Sequence, residues 1–317
     1  MTATPPSVSV IVPVYNSEQT LPALVERLAP VLRKVAGAFE IILVNDGSRD
    51  RSGFVARELA QSHPFVRAIS LMRNYGQHNA LLAGIRCARH EIVITLDDDL
   101  QNPPEEIPCL LAQIAEGHDV VYGVPEHEQH GFLRDLASQV TKLTLQSAMG
   151  AETARHISAF RAFRTDLRDA FQDYRGSFVS IDVLLTWATT RFTAVTVRHD
   201  PRHAGVSNYT LRKLIIHALN LMTGFSTMPL QIASLVGFAC TLFGLLVLIF
   251  VLARYFIQGG GVPGFPFLAS IIAVFSGAQL FALGIIGEYL ARVHFRMMDK
   301  PSYTVREDSA PLAKSHD

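Results

Sequence analysis

The chain is predicted to be α/β, with a mainly parallel sheet flanked by helices, then interfacial helices and a two-helix transmembrane hairpin. Three observations predict this. Short, almost wholly apolar runs alternate with segments of helical spacing through the first 125 residues, the pattern of strands buried on both faces. Several of those runs end in polar or acidic turns rather than in more apolar residues. Late in the chain two stretches, residues 232–253 and 265–287, carry no charged side chain.

The elements follow in order. Val8-Ser9-Val10-Ile11-Val12-Pro13-Val14 is β-branched and strand-sized. Tyr15-Asn16-Ser17 makes a turn. Ser17 with Thr20 is placed to cap a helix along which Leu21, Leu24, Val25, Leu28 and Leu32 keep helical spacing. Phe39-Glu40-Ile41-Ile42-Leu43-Val44 is a second strand, ending in Asn45-Asp46-Gly47-Ser48-Arg49-Asp50. A helix over 52–62, a strand over 66–71 and a helix over 77–89 come next, with Arg73-Asn74-Tyr75-Gly76 at the third strand's end. Ile92-Val93-Ile94-Thr95-Leu96 is the fourth strand. Pro103-Pro104-Glu105-Glu106 opens a helix, because prolines and acids suit a helix N-terminus. Asp119-Val120-Val121-Tyr122-Gly123 is a short strand. Beyond it the pattern is less regular. Residues 132–149 read as a mixed helix with Arg134 and Lys142, Phe160-Arg161-Ala162-Phe163-Arg164 is aromatic and basic, 178–190 reads as a helix and 192–197 as a strand.

The fourth strand ends in Asp97-Asp98-Asp99-Leu100-Gln101. Adjacent like charges repel, and ionised carboxylates are costly to bury. A divalent cation removes both costs. Mg²⁺ or Mn²⁺ takes oxygen ligands and is often held by one or two carboxylates plus substrate phosphates. A solvated acidic turn is the plainer alternative for an Asp triplet. In parallel sheets, however, ligands sit beyond the carboxyl ends of the strands. Asp46, Asn74 and the three aspartates all fall there, which favours a site bridging metal and phosphate. No G-x-G-x-x-G follows the first strand and no Walker A loop is present. Arg198-His199-Asp200-Pro201-Arg202-His203-Ala204-Gly205-Val206-Ser207-Asn208-Tyr209 gathers arginines, histidines and a Gly-centred turn able to surround phosphate oxygens, or simply makes a solvated basic loop.

Residues 210–225 carry Leu211, Leu214, Ile215, Ala218, Leu219 and Met222 at helical spacing, with Arg212 and Lys213 at the start. Such a helix before an apolar span reads as lying in the membrane interface. The 22 residues of 232–253 make a helix of about 33 Å, enough to cross a bilayer core, and 265–287 is a second span of 23 residues. Gly259-Gly260-Gly261-Val262-Pro263-Gly264 turns between them. Arg212, Lys213, Arg292, Arg296 and Lys300 flank the hairpin, against Arg254 alone at the loop, so both termini are expected in the cytoplasm of a cell inner or plasma membrane. Glu288 is expected to pair with Arg292, four residues on. The tail after Arg306 is polar and expected to be disordered. The expected divisions are a catalytic domain over 1–207, an amphipathic juxtamembrane segment over 208–228, the membrane helices within 229–290 and a cytoplasmic tail over 291–317.

Lys and Arg total 28, as do Asp and Glu, so no net basic charge points to a nucleic-acid partner. Three scattered cysteines, Cys87, Cys109 and Cys240, imply no disulfide framework. The opening Met-Thr-Ala-Thr-Pro-Pro-Ser lacks a basic region before an apolar run and does not read as a secretory signal.

Taken together, Val10-Ile11-Val12-Pro13-Val14-Tyr15-Asn16, Val44-Asn45-Asp46-Gly47-Ser48, Arg73-Asn74-Tyr75-Gly76, Asp97-Asp98-Asp99-Leu100-Gln101-Asn102-Pro103-Pro104-Glu105 and Gly205-Val206-Ser207-Asn208-Tyr209 before a helical hairpin resemble the family 2 inverting glycosyltransferases of GT-A fold (nucleotide-diphospho-sugar transferases). More narrowly, they resemble the polyprenyl-phosphate glycosyltransferases, a group that includes dolichol-phosphate mannosyltransferase, bactoprenol glucosyltransferase and the undecaprenyl-phosphate formamido-arabinose transferase. The resemblance spans residues 7–306. It implies transfer of a sugar from a nucleotide sugar to a polyprenyl phosphate, with a lipid-linked sugar for cell-envelope glycan or lipid modification as product. Pro13, Tyr15, Asp46 and Asn74 would line the nucleotide pocket, and Asp97 and Asp98 would face the nucleoside and sugar. Asp99, with Gln101 nearby, would hold Mg²⁺ or Mn²⁺ on the donor diphosphate. Arg202 and Ser207 would sit on donor or acceptor phosphates, and Arg134 and Ser138 on the lipid phosphate. The catalytic set would be Asp97, Asp98, Asp99 and Arg202. Relatives also associate into homo-oligomers through their membrane helices.

Two other functions compete. Val124-Pro125 stands where relatives often carry an arginine. Arg155-His156-Ile157-Ser158-Ala159 lacks an Asp that some relatives have. A non-catalytic membrane scaffold keeping the fold would tolerate both departures. A processive polysaccharide synthase would need a Gln-x-x-Arg-Trp motif, and the single tryptophan, Trp187, follows Leu185-Thr186 instead.

Overall fold

The computed structural model describes residues 5–125, 157–176, 179–200, 228–258 and 264–309. These divide into two compact units: one holds the described residues before position 212 and after position 298, the other those between.

The first unit is built on a sheet whose strands are β1 (Ser7–Val14), β2 (Ala38–Asn45), β3 (Val66–Leu71), β4 (Ile92–Thr95), β5 (Val120–Pro125), β6 (Arg161–Arg164), β7 (Phe192–Val197) and β8 (Val305–Asp308). They lie in the order β7-β5-β6-β4-β1-β2-β3-β8. β1 is central and parallel to β2 and β4, with Val10 opposite both Ile41 and Ile94. β2–β3 and β5–β7 are also parallel. β6 runs antiparallel between β4 and β5, and β8 antiparallel along β3.

Helix α1 (Leu21–Val35) shows why the alternation holds. Leu21, Leu24, Val25, Leu28 and Leu32 recur at helical spacing and are all buried against β1 and β2 in one apolar layer. Helices α2 (Ser52–Ser62), α3 (Gln77–Cys87), α4 (Ile107–Ala115) and α5 (Ile181–Ala188) complete the two faces. α3 packs closest. A Cβ on Gly84 would stand 2.4 Å from Cγ2 of Ile11, so only glycine lets the helix approach β1 here.

Four local expectations change. Thr20 stands at the N-cap of α1, but no side chain caps the helix, because the Ser17 hydroxyl is turned to Asp98 instead. α3 ends at Cys87, two residues before Arg89. Residues 161–164 form a central strand rather than an irregular segment. Arginine at both ends leaves no continuous apolar run, and four residues are too few for alternation to register. Residues 305–308 are not a free tail. Arg67 holds Asp308 through two contacts, at 2.9 and 2.6 Å, and Arg57 holds Glu307 at 2.7 Å, so paired charges pin a polar strand that lacks an apolar pattern.

The second unit consists of α6 (Met228–Gln258) and α7 (Phe265–Met297). Both are long and apolar enough to cross a membrane, over Leu230–Val251 and Val274–His294. Their flanks expose large apolar side chains such as Leu235, Phe243 and Leu280, which water disfavours and lipid accepts. α7 runs on beyond Gly287, and its Glu288 pairs with Arg292 at 2.9 Å as the i, i+4 spacing predicts. Residues 210–225 lie outside the described residues.

Candidate active site

Beyond the carboxyl ends of β1, β2 and β4 lies an open cavity of about 560 Å³. Pro13, Tyr15, Asp46, Asn74, Asp97, Asp98 and Asp99 all line it. Gln101 is not among its lining residues. Arg134, Ser138, Arg202 and Ser207 lie outside the described residues.

Asp46 caps β2 and is buried, at 3 % exposure. Its carboxylate oxygens accept the backbone N–H groups of Tyr75, at 2.7 Å, and Gly76, at 2.8 Å. Burial pushes this carboxyl above its usual range, and the two amides pull it partly back. Asp46 therefore holds the loop after β3 in place as well as lining the cavity. Gly47 makes that approach feasible. Its φ is +63°, and a Cβ there would meet the backbone of Arg73 and Asn74 at 2.5 Å.

The three aspartates have different surroundings. Asp97 accepts from the Gln77 amide at 2.6 Å. Asp98 accepts from the Tyr15 backbone N–H at 3.2 Å and from the Ser17 hydroxyl. Its carboxyl is pushed up, first by burial and further by the neighbouring Asp99 charge, against the pull of Ser17 and Tyr15. Asp99 accepts the Gln101 backbone N–H at 3.2 Å, across a turn whose middle residue, Leu100, has a φ of +61°. Strain of that kind concentrates at functional loops.

Several residues here escaped the sequence. Gln77 carries no motif of its own. The chain leaving β7 returns to the acidic loop: the Asp200 N–H donates to the Gln101 carbonyl at 2.8 Å, and His199 Nδ1 lies 3.4 Å from Asn102 Oδ1. The segment that leads to Arg202 therefore starts against residues 101–102. Beneath the loop, Arg161 is 2 % exposed and Asp182 5 %. They form an ion pair, Arg161 Nε donates to Thr95 Oγ1 at 3.1 Å, and the Tyr122 hydroxyl donates to Asp182 at 3.1 Å. Burial pushes the Tyr122 phenol up. Thr95 in turn donates to the Ala159 carbonyl at 2.7 Å. Behind the end of β4 there is thus a satisfied polar network, the condition under which buried charge is tolerated.

Among the described residues, no group of three or more His, Cys, Asp or Glu side chains forms a ready-made cation cage. The donor set nonetheless fits a hard divalent ion completed by substrate oxygens. Asp98 is already engaged by Tyr15 and Ser17, and its carboxyl feels the charge of Asp99. A cation bound there would relieve that repulsion.

Residues 9–174 match the family described as Glycosyl transferase family 2. The chain belongs to that family. Its similarity to individual members extends further than the matched region. It is 37 % identical over 315 residues to an undecaprenyl-phosphate 4-deoxy-4-formamido-L-arabinose transferase of Pectobacterium carotovorum subsp. carotovorum, covering 98 % of this chain and 96 % of that protein. It is 38 % identical over 308 residues to the transferase of the same name from Yersinia enterocolitica serotype O:8, covering 95 % and 93 %. Among solved structures, glucosyl-3-phosphoglycerate synthase from Mycobacterium tuberculosis, in complex with Mn²⁺, UDP-glucose and phosphoglyceric acid, superposes with a TM-score of 0.51 at 18 % identity, over 69 % of this chain and 78 % of that one. At that identity the likeness is one of fold, and it makes the glycosyltransferase sheet GT-A-like. This family-2 glycosyltransferase therefore carries its cavity where strand ends and acidic loop meet.

Proposed function

We propose that this glycosyltransferase moves a sugar from a nucleotide-sugar donor to polyprenyl phosphate with inversion, at the cytoplasmic face of the membrane. The observation that supports this reading most is the meeting of Pro13, Tyr15, Asp46, Asn74 and the three aspartates in one cavity. It occurs in a chain similar along its length to transferases named for undecaprenyl phosphate.

Pro13, Tyr15, Asp46 and Asn74 bind the nucleoside, with Asp46 keeping the residue 73–76 loop closed on it. Asp97 faces the sugar, oriented by Gln77. Asp99, with Gln101, would hold Mg²⁺ or Mn²⁺, whose charge there would offset that of the departing nucleoside diphosphate. Arg202, Ser207, Arg134 and Ser138 hold the phosphates of donor and acceptor. The nucleophile needs little help from a protein base. A phosphate monoester has a second pKa of about 6 and is largely ionised at neutral pH. The residues therefore contribute orientation and charge screening, which are large terms in such transfers. An acceptor embedded in lipid also accounts for α6 and α7. The two helices hold the cytoplasmic catalytic unit at the membrane and offer faces for a homo-oligomer.

The test is incubation of purified full-length protein with Mg²⁺ or Mn²⁺, undecaprenyl phosphate and a panel of labelled nucleotide sugars, one of them carrying 4-deoxy-4-formamido-L-arabinose on a nucleoside diphosphate. The expected result is a labelled lipid that depends on the metal. Nucleotide binding without product across the panel would favour a scaffold that has kept the fold and lost the chemistry.

A further inference from the structure

The segment that follows α7, residues 299–309, belongs to the unit of the sheet and not to that of the helical hairpin. It is bound along its length. The buried Ser302 hydroxyl donates to the Gly176 carbonyl at 3.0 Å, and the Arg86 guanidinium lies 5.5 Å from the centre of the Tyr303 ring. Ser309 N–H donates to the Ala68 carbonyl at 2.9 Å, and Ala68 N–H donates to the Ser309 hydroxyl at 2.8 Å. Between these points the segment takes hold of Met72 from both sides. Met72 N–H donates to the Thr304 carbonyl at 2.9 Å, and Arg306 Nη2 donates to the Met72 carbonyl at 3.3 Å.

Met72 is the residue before the loop 73–76. That loop is gripped on its other side by Asp46, through Tyr75 and Gly76, and lies against Gly47. The Thr304 side chain also reaches Tyr75, holding its phenol below the usual range. Arg73 covers the same ring at 4.6 Å. Covering the edge of β3 is a sufficient reason for a strand here, but it does not account for these contacts. β3 ends at Leu71, and the pairing shifts register between Ser70 and Leu71, the kind of irregularity that re-aims a strand beside a site. The contacts beyond that shift go to Met72 and to Tyr75 of the cavity loop.

We infer that residues 299–309 position the donor pocket: Thr304 and Arg306 fix Met72 and so set the loop 73–76 against Asp46. The inference rests on the nucleotide-donor reading given above. Thr304 and Arg306 are positioning residues, since neither lines the cavity.

The test titrates full-length protein in detergent with UDP, GDP, CDP and dTDP by calorimetry, in Mg²⁺, alongside thermal melting. Asp308→Arg sets two cations against each other at Arg67 and is expected to weaken nucleotide binding about fivefold to tenfold. Adding Arg67→Asp restores the pair and is expected to bring affinity back to within about twofold of wild type. Arg306→Ala leaves the strand's own backbone pairing intact and removes the contact to Met72, with an expected loss of about threefold and an unchanged KM for the lipid acceptor. Melting that falls while affinity holds in both Asp308→Arg and Arg306→Ala would make the strand an edge cover only and overturn the inference. Should Asp308→Arg not fold, Arg306→Ala decides alone. A wild-type protein that binds none of the four nucleotides would remove the donor reading itself, a different result from equal binding by wild type and variants.

Discussion

Asp98 accepts the backbone N–H of Tyr15 at 3.2 Å, joining residues 83 apart in sequence. The Ser17 hydroxyl donates to the same carboxylate oxygen. The middle member of the acidic triplet is therefore a fastener between the turn after β1 and the end of β4, even though it lines the cavity. Asp98→Ala is expected to cost about 1–2 kcal/mol of stability through two lost charge-assisted hydrogen bonds, a fall of roughly 2–8 °C in Tm. Nucleotide affinity should fall with it. Melting and calorimetry on the same preparation check both.

Asp99 accepts the N–H of Gln101, two residues on, a contact within its own loop. Asp99→Ala is expected to leave Tm within about 2 °C of wild type while metal-dependent turnover drops on the order of a hundredfold or more. Turnover measured across a Mn²⁺ titration checks it. Unimpaired turnover in this variant would remove Asp99 as the metal ligand.

The pair beneath the loop sets a third expectation. Arg161→Met strands Asp182, which is 5 % exposed, with only the Tyr122 hydroxyl for a described partner. Breaking one half of a buried pair costs about 3–5 kcal/mol. Replacing both, Arg161→Met with Asp182→Leu, should cost less than Arg161→Met alone. A double-mutant cycle by chemical denaturation reads the difference, and additive losses would count against a coupled pair.

Acid should reveal Asp50. Burial alone would push its carboxyl up, but the Ser52 hydroxyl, the Ser52 amide and the Glu18 amide outweigh it and hold the group below its ordinary 3.8. A lowered folded-state pKa contributes stability above the unfolded value and loses it as pH falls through the folded one. Asp50→Ala is therefore expected to be less stable than wild type by about 1 kcal/mol at pH 6, and the gap should narrow below about pH 4. Asp46 and Asp98, whose carboxyls are raised, run the other way, but both proteins carry them and they cancel in the comparison. A gap that stays constant down to pH 3 would contradict the assignment.

Gly84→Ala inserts a methyl 2.4 Å from Ile11 Cγ2, and a β-branched strand residue has little room to turn aside. A loss of about 1–3 kcal/mol is expected by overpacking, despite alanine's better helix propensity. Thermal melting distinguishes this from the stabilisation that propensity alone predicts.

Much of the sheet was legible because its signal is local. Residues 8–14, 39–44, 66–71 and 92–95 are mainly apolar, β-branched runs, and Leu21 to Leu32 repeat at helical spacing, so period and length were enough. The strands at 161–164 and 305–308 were not legible. The first is four residues long and basic at both ends. The second is Val-Arg-Glu-Asp, held by Arg57 and Arg67 from 250 and 241 residues away. No periodicity encodes an ion pair across that distance.

The site divides in the same way. By itself the sequence determined which side chains stand at the carboxyl ends of the strands, since parallel strands of known ends must place Asp46, Asn74 and the 97–99 triplet on one rim. It also determined that two charge-free stretches, 232–253 and 265–287, follow, each long enough for a helix to span a membrane. Tertiary structure alone decided how the carboxylates are used. Asp98 is tied to Tyr15 and Ser17, Asp46 to the amides of Tyr75 and Gly76, Asp97 to Gln77, and Asp99 to the amide of Gln101 in its own loop. A carboxylate's identity shows that it can take a charge or a hydrogen bond. Which donor reaches it is set by the packing of strands and loops that are distant in sequence.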